Sequence, residues 1–250
     1  MSFIKSLPGL LSVSIYGKIL HSLEGIEDFP GEIIIIDTGN NTKRNIDDIS
    51  KTAIETLDIK WANTNDVIAI GRCKRLKRVR IANIPELYFD MWSNTLLENI
   101  QIIGGKITEI KDTIRLTKLK ILHCAACRKL ERFNGDNSGV TGMIIDSCNK
   151  LDIITIFSFN NIEFIAIVDM KNEIPLSVFS QLPDLRELRI QGRSNVKYDT
   201  LQLNQQASKL QQIYIQSMKT NVAIEMSICN LNTSISNDHG TFLNGNIVKN

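Results

Sequence analysis

Three groups of residues in this chain have types and spacings that suit chemistry. The first is Cys124-Ala125-Ala126-Cys127, with Cys148 further on. A Cys-x-x-Cys pair shuttles between dithiol and disulfide when it opens a helix whose dipole lowers the thiol pKa. Four such ligands hold zinc. Here the next segment places Cys148 and Leu151 at the same offsets, 24 residues on, which reads as a pair of core positions. A buried free Cys packs as a small hydrophobe. No fourth zinc ligand is evident, so neither a metal nor a cofactor is expected.

The second group is Cys124 with its neighbour His123. Cys and His together make a nucleophile and its base. If Cys124 points inward, however, His123 points away, so the pair is badly aimed. His21 and His239 are distant in sequence. No G-x-S-x-G, Walker, H-E-x-x-H or G-x-G-x-x-G pattern occurs. Gly104-Gly105 reads as a turn. The expectation is a chain that is not an enzyme.

The third group is Arg72–Arg80, RCKRLKRVR, with six basic residues in nine. Such a run suits an acidic protein surface or a nucleic acid. It contains none of the aromatics that stack on single-stranded bases. The whole chain has 29 Lys+Arg against 27 Asp+Glu, a net charge of +2. That excludes a polycationic protein but not a local patch.

These residues must be positioned by a repeating element. The composition is that of a folded chain, 43% hydrophobic and 22% charged, with 39 Ile and 23 Asn but only 14 Gly and 5 Pro. An apolar-x-Ile tripeptide recurs with first anchors at 13, 33, 57, 79, 100, 119, 143, 165, 188 and 213, in steps of 19 to 25. Several copies carry further apolar residues three and six positions earlier, as at Leu7 and Leu10, Cys73 and Leu76, or Leu182 and Leu185. Each tripeptide reads as a short strand with its anchors on one side and the intervening residue on the other. One such unit cannot bury its own apolar side, so neighbours must stack. RNIDDISKTAIETL (44–57) has helical apolar spacing. FLNGNIV (242–248) carries the Asn-Gly hairpin signal, and the alternation at Val222, Ile224, Met226 and Ile228 reads as a last strand.

The runs SQLPDLRELRIQG (180–192) and LTKLKILHCAACRKLERF (116–133) resemble leucine-rich repeats, whose core is L-x-x-L-x-L-x-x-N/C-x-L. The resemblance covers roughly residues 7 to 230. Ile replaces Leu at the second strand position, and Cys fills the N/C position only at Cys124 and Cys148. It implies an α/β fold: a single-domain solenoid over 1–250 with about ten repeats in 7–219. A parallel β-sheet would line its concave face, with irregular or short helical returns and a C-terminal cap at 220–250. The concave-face residues expected to contact a partner are Tyr16, Asp58, Lys60, Arg78, Arg80, Gln101, Lys118, Lys120, Asp146, Phe164, Glu187, Arg189, Gln212 and Tyr214. Arg78, Arg80, Lys118, Lys120 and Lys60 would form a central basic patch. Ile34, Ile36, Ile103, Leu122, Ile144 and Phe164 would form an apolar one, and such patches mark interaction sites.

The functional expectation is a non-catalytic protein-binding module. Small solenoids of this kind resemble inhibitors, as eukaryotic ribonuclease inhibitors cover a nuclease with this fold. In a bacterium the size and context resemble an immunity protein. The resemblance then implies a cognate toxin domain as partner, such as a nuclease delivered by contact-dependent inhibition. An RNA-binding protein using the basic patch and a secreted leucine-rich-repeat effector are the alternatives. Five Cys, an odd number, fit a reducing compartment better than a disulfide framework, so a cytoplasmic location is expected. No apolar run approaches the ~18 residues of a membrane span. The apolar stretch Leu7–Ile15 is broken by Pro8, Gly9, Ser12 and Ser14, and no small-x-small site follows it, so it is not expected to act as a signal peptide.

Overall fold

The computed structural model describes residues 7, 9–17, 24–27, 29, 32–37, 46–60, 62–87, 89–135, 139–197, 209–217, 234–237, 240–243 and 246–248. The fold is α/β, with a long parallel sheet and few helices. In chain order the strands are β1 (Ser12–Gly17), β2 (Glu32–Asp37), β3 (Thr56–Ile59), β4 (Arg78–Ala82), β5 (Asn99–Ile103), β6 (Glu109–Ile110), β7 (Ile121–Ala125), β8 (Arg132–Phe133) and β9 (Gly142–Asp146). They continue with β10 (Phe164–Val168), β11 (Glu173–Pro175), β12 (Glu187–Gly192), β13 (Asn195–Lys197), β14 (Gln212–Ser217), β15 (Ser234–Asn237), β16 (Gly240–Leu243) and β17 (Asn246–Val248).

Among the described residues thirteen strands join one sheet in the order β1-β2-β3-β4-β5-β7-β9-β10-β12-β14-β15-β16-β17. Pairing is parallel from β1 through β15 and antiparallel from β15 through β17. The expected Asn-Gly hairpin is thus the β16–β17 pair. The last strand expected around Val222–Ile228 lies outside the described residues. The sheet is neither curled nor closed, so the surface expected to be concave is simply its open face. Two small parallel pairs, β6 with β8 and β11 with β13, lie in the return segments.

The anchors form the core. Val79, Ile100, Met143, Ile165, Leu188 and Ile213 stack in one buried column, and Ile81, Ile102, Ile145, Ile167, Ile190 and Ile215 in the next. Burying an aliphatic side chain of this size contributes roughly 1.5–3 kcal/mol, and each coil does it twice. Three residues before each first anchor lies another buried residue, among them Leu76, Leu97, Val140, Ile162 and Leu185.

One register differs from expectation. The sixth pair of anchors is Leu122 and Cys124, which take the places expected for Leu119 and Ile121. Leu116, Leu119, Leu122, Cys124, Cys127 and Leu130 are all buried, so the local apolar pattern fits both phases. The lateral ladder decides between them: Ile100 pairs with Leu122 and Leu122 with Met143. With this phase the steps from Val79 to Leu188 become 21, 22, 21, 22 and 23.

The returns differ as well. Within 44–57 only Asp47–Lys51 is helical, as a 3-10 turn, and the backbone is already extended at Thr52 because β3 must begin at Thr56. The α-helix lies later, as α1 (Thr64–Gly71). It starts there because Asn63 and Asp66 form a reciprocal capping box, each side chain accepting the other's backbone N–H at 2.9 Å. Val67 and Ile70 then turn one face of it into the core.

Every coil from β4 to β12 leaves its strand through a left-handed residue: Asn83, Gly104, Ala126, Ser147, Asp169 and Gly192, with φ between 51° and 69°. The strain of the non-glycine members is offset because the N–H at this corner extends the ladder, as from Asn83 to Ile103 O at 2.7 Å and from Ala126 to Asp146 O at 2.8 Å.

Candidate functional site

Each strand alternates its side chains, so the non-anchor residues form columns across the open face. One column runs Arg78, Asn99, Ile121, Gly142, Phe164, Glu187, Gln212. Its neighbour runs Asp58, Arg80, Gln101, His123, Ile144, Ala166, Arg189, Tyr214. A third follows with Ala82, Ile103, Ala125, Asp146, Val168 and Gln191. Most of these side chains are half-buried, hemmed in by their lateral neighbours and open only outward.

Ten of the expected contact residues stand in these columns: Asp58, Arg78, Arg80, Gln101, Asp146, Phe164, Glu187, Arg189, Gln212 and Tyr214. Lys60 follows β3 directly and is half-buried, and Tyr16 holds the register position opposite Ile36. Two expectations are corrected. Lys118 and Lys120 are exposed in the turn before β7, not on the strand, because the sixth repeat starts three residues later than expected. An odd shift exchanges the two faces of a strand. Leu122 is accordingly buried, and Ile121 and His123 take its place outside. Counting about 22 residues from the neighbouring anchors would have found them.

The basic run is less basic in place than in sequence. Arg80 Nη1 binds Asp58 Oδ2 at 2.7 Å, and Lys77 Nζ binds Glu55 Oε2 at 2.8 Å, with Arg75 at 3.9 Å from the same carboxylate. The hydrogen bond from Lys77 holds the Glu55 carboxyl below its usual range, against a smaller desolvation effect. Arg78 donates through Nε to Thr56 Oγ1 at 3.3 Å. Exposed Arg72, Lys74 and Arg75 lie in the approach turn rather than on the face.

His123 is pushed below the usual imidazole pKa by burial, and Arg80 adds to the shift while Asp146 opposes it. Its ring is therefore neutral at pH 7, with one nitrogen a donor and the other an acceptor. Cys124 lies on the opposite side of the strand, at 0% exposure, so the two side chains do not meet. Cys127 Sγ donates toward the carbonyls of Ile102, Gly104 and Ala125, and Cys148 Sγ toward those of Cys124 and Asp146. These thiols thus serve the carbonyls at the coil corner. Their pKa values are raised, at Cys127 first by the hydrogen bond with Cys124 and at Cys148 first by that with Cys127, with burial adding to both. Ser194 does the same work one corner later, donating to Gln191 O and accepting from Met170 N. Among the described residues no group of three or more His, Cys, Asp or Glu side chains is arranged to hold a metal ion.

A trough of about 410 Å³ crosses the face from β2 to β9. Glu32, Ile34, Thr56, Asp58, Arg78, Arg80, Asn99, Gln101, Ile121, His123 and Ile144 line it. The C-terminal half of the face is more self-contained: Glu187 pairs with Arg189, whose guanidinium lies over the Phe164 ring at 5.9 Å. No protein-family model matches the chain, and no curated protein matches it. Among the described residues no helix is long and apolar enough to cross a membrane.

Proposed function

We propose that this chain is a non-catalytic protein-binding module, built as a leucine-rich-repeat-like solenoid, that grips a macromolecular partner with its open sheet face. One observation carries the reading: apolar, polar and charged side chains alternate in registered columns across a face whose backbone is held by ladder hydrogen bonds on both sides. Such a surface loses little conformational entropy on binding, so a larger share of its contact energy becomes affinity. The same periodicity that suggested leucine-rich repeats supports the solenoid: parallel strands 21 to 23 residues apart from β4 to β12, a left-handed corner after each, and thiol or hydroxyl groups serving the corner carbonyls.

The most specific form of the proposal is a cytoplasmic inhibitor of the immunity type, which neutralises a cognate toxin domain, such as a nuclease, by covering it. RNA binding is the weaker reading. Lys118 and Lys120 are off the face, and Arg80 is already paired with Asp58.

The test is to tag the full chain at its native locus, purify it gently and identify stoichiometric companions. Recovery of one protein partner, lost on Phe164→Ala, together with protection of cells against that partner's toxicity, is the expected result. Recovery of the chain alone, or of RNA with a steep salt dependence, overturns the proposal.

A further inference from the structure

The polar groups of the open face are satisfied unevenly, and the unevenness localises a binding site. Over β12 the charges are used internally, as described for Glu187 and Arg189. Over β3 to β7 they are not. Asp58 gives Oδ2 to Arg80, while its Oδ1 is buried with no hydrogen-bond partner. Arg78 uses only its Nε and, among the described residues, has no carboxylate partner. The side chains of Asn99, Gln101 and His123, all half-buried, find no hydrogen-bond partner among the described residues either. Unpaired polar groups in a recess are costly and rare, and here five of them line one trough. Its far end is apolar, with Ile121 leaning over Gly142 and Ile144 beside it.

We propose that this trough is the docking site for an extended protein segment carrying a carboxylate and, three or four residues away, a large apolar side chain. The proposal rests on the protein-binding reading above and narrows it to the N-terminal half of the face.

The dimensions fit. Strands lie about 4.8 Å apart, so the five spacings from β2 to β9 span roughly 24 Å, the length of about seven extended residues. From Arg78 to Ile121 or Ile144 is two or three spacings, roughly 10–14 Å, which sets the interval of three or four residues. The segment's carboxylate takes the free fork of Arg78. Its main-chain N–H groups reach Asp58 Oδ1, and the amides of Asn99 and Gln101 meet its peptide groups. Neutral His123 offers one donor and one acceptor. A nucleic acid fits poorly, because Glu32 and Asp58 line the trough and its backbone would meet only one unpaired cation there.

The experiment screens the full-length chain against a phage-displayed library of random seven-residue peptides and measures the best binder by fluorescence anisotropy. Asp or Glu enriched three or four positions from Leu, Ile, Met or Phe is the expected result. Arg78→Glu, a change at an exposed position, weakens that peptide about tenfold or more, and re-screening this variant selects Lys or Arg in the acidic position. Arg132→Glu, in β8 away from the face, leaves binding unchanged. No binder, no acidic preference, an effect of Arg78→Glu below twofold, or displacement of the peptide by a tighter-binding oligouridine each overturns the proposal. The two readings fail separately. A native partner lost on Phe164→Ala but retained by Arg78→Glu keeps the protein-binding reading and removes the trough. Selected acidic peptides with no native protein partner do the reverse.

Discussion

Substituting alanine for each of two adjacent glycines tests the corner geometry on which the stack depends. At Gly105 φ is +94°, and a Cβ there would lie 2.2 Å from Ile84 O and 2.9 Å from Ile84 N. Both are backbone atoms of the preceding coil and cannot rotate away. Gly105→Ala therefore incurs left-handed strain of about 1–2 kcal/mol. It also displaces the carbonyl that accepts from Lys106 N at 2.8 Å, a bond worth about 1 kcal/mol. With the steric shift added, the expected loss is about 3–4 kcal/mol. At Gly104 φ is +64°, and the nearest atom to an added Cβ is Asn83 Oδ1 at 3.0 Å, the end of a side chain that can swing. Ala126 already occupies the equivalent corner with φ 51°, so Gly104→Ala is expected to cost only about 1 kcal/mol. Urea unfolding followed by far-UV circular dichroism separates the two. With an m-value of about 2–3 kcal/mol/M, a difference of about 2 kcal/mol moves the midpoint by roughly 0.7–1 M. Equal midpoints for the two variants, or a Gly105→Ala protein within about 0.5 kcal/mol of wild type, would refute the reasoning.

Other outcomes follow from the same contacts. Burial pushes the Cys73 thiol up to about 12 and raises Cys127 and Cys148 as well, so peptides carrying these residues should stay unalkylated when native protein meets iodoacetamide at pH 8; rapid labelling would contradict the buried ladder. Asp66→Ala removes one half of the α1 capping box and the interactions of a fully buried carboxylate, and should cost about 1–2 kcal/mol in the same urea assay. His123 has its pKa lowered in the fold from the usual 6.5. The unfolded chain therefore binds the proton first, and stability falls as pH drops below about 6.5 until the folded-state value is passed. His123→Gln should flatten that slope between pH 7 and 5, and an unchanged slope would remove His123 as its source.

Much of the fold was legible because burial imposes a period. The positions of nine of the ten anchor pairs, from Val13 and Ile15 to Ile213 and Ile215, follow from apolar spacing alone, and so does the Asn-Gly hairpin of β16 and β17. The sixth pair did not, because apolar residues from Leu116 to Leu130 recur at intervals of three and two and satisfy two phases equally. α1 escaped notice because its capping box precedes a helix of only eight residues. The candidate site was half legible. Alternation put Asp58, Arg78, Arg80 and Gln101 on the face, but the error of phase removed His123 and Ile121 and substituted Lys118 and Lys120.

The amino-acid order by itself determined where the strands fall and which residue of each faces inward, because a side chain's hydrophobicity and its place in a two-residue alternation are local properties. Only the tertiary structure decided which coil-to-coil neighbours meet. That Arg80 spends its charge on Asp58 while Arg78 keeps its own, that Asp58 Oδ1 is left without a donor, and that Cys148 serves the carbonyl of Cys124 are contacts between residues 22 to 24 positions apart. Such contacts depend on the register of one strand against the next. Register is set by the summed packing and hydrogen bonding of the whole stack, which no single stretch of sequence contains.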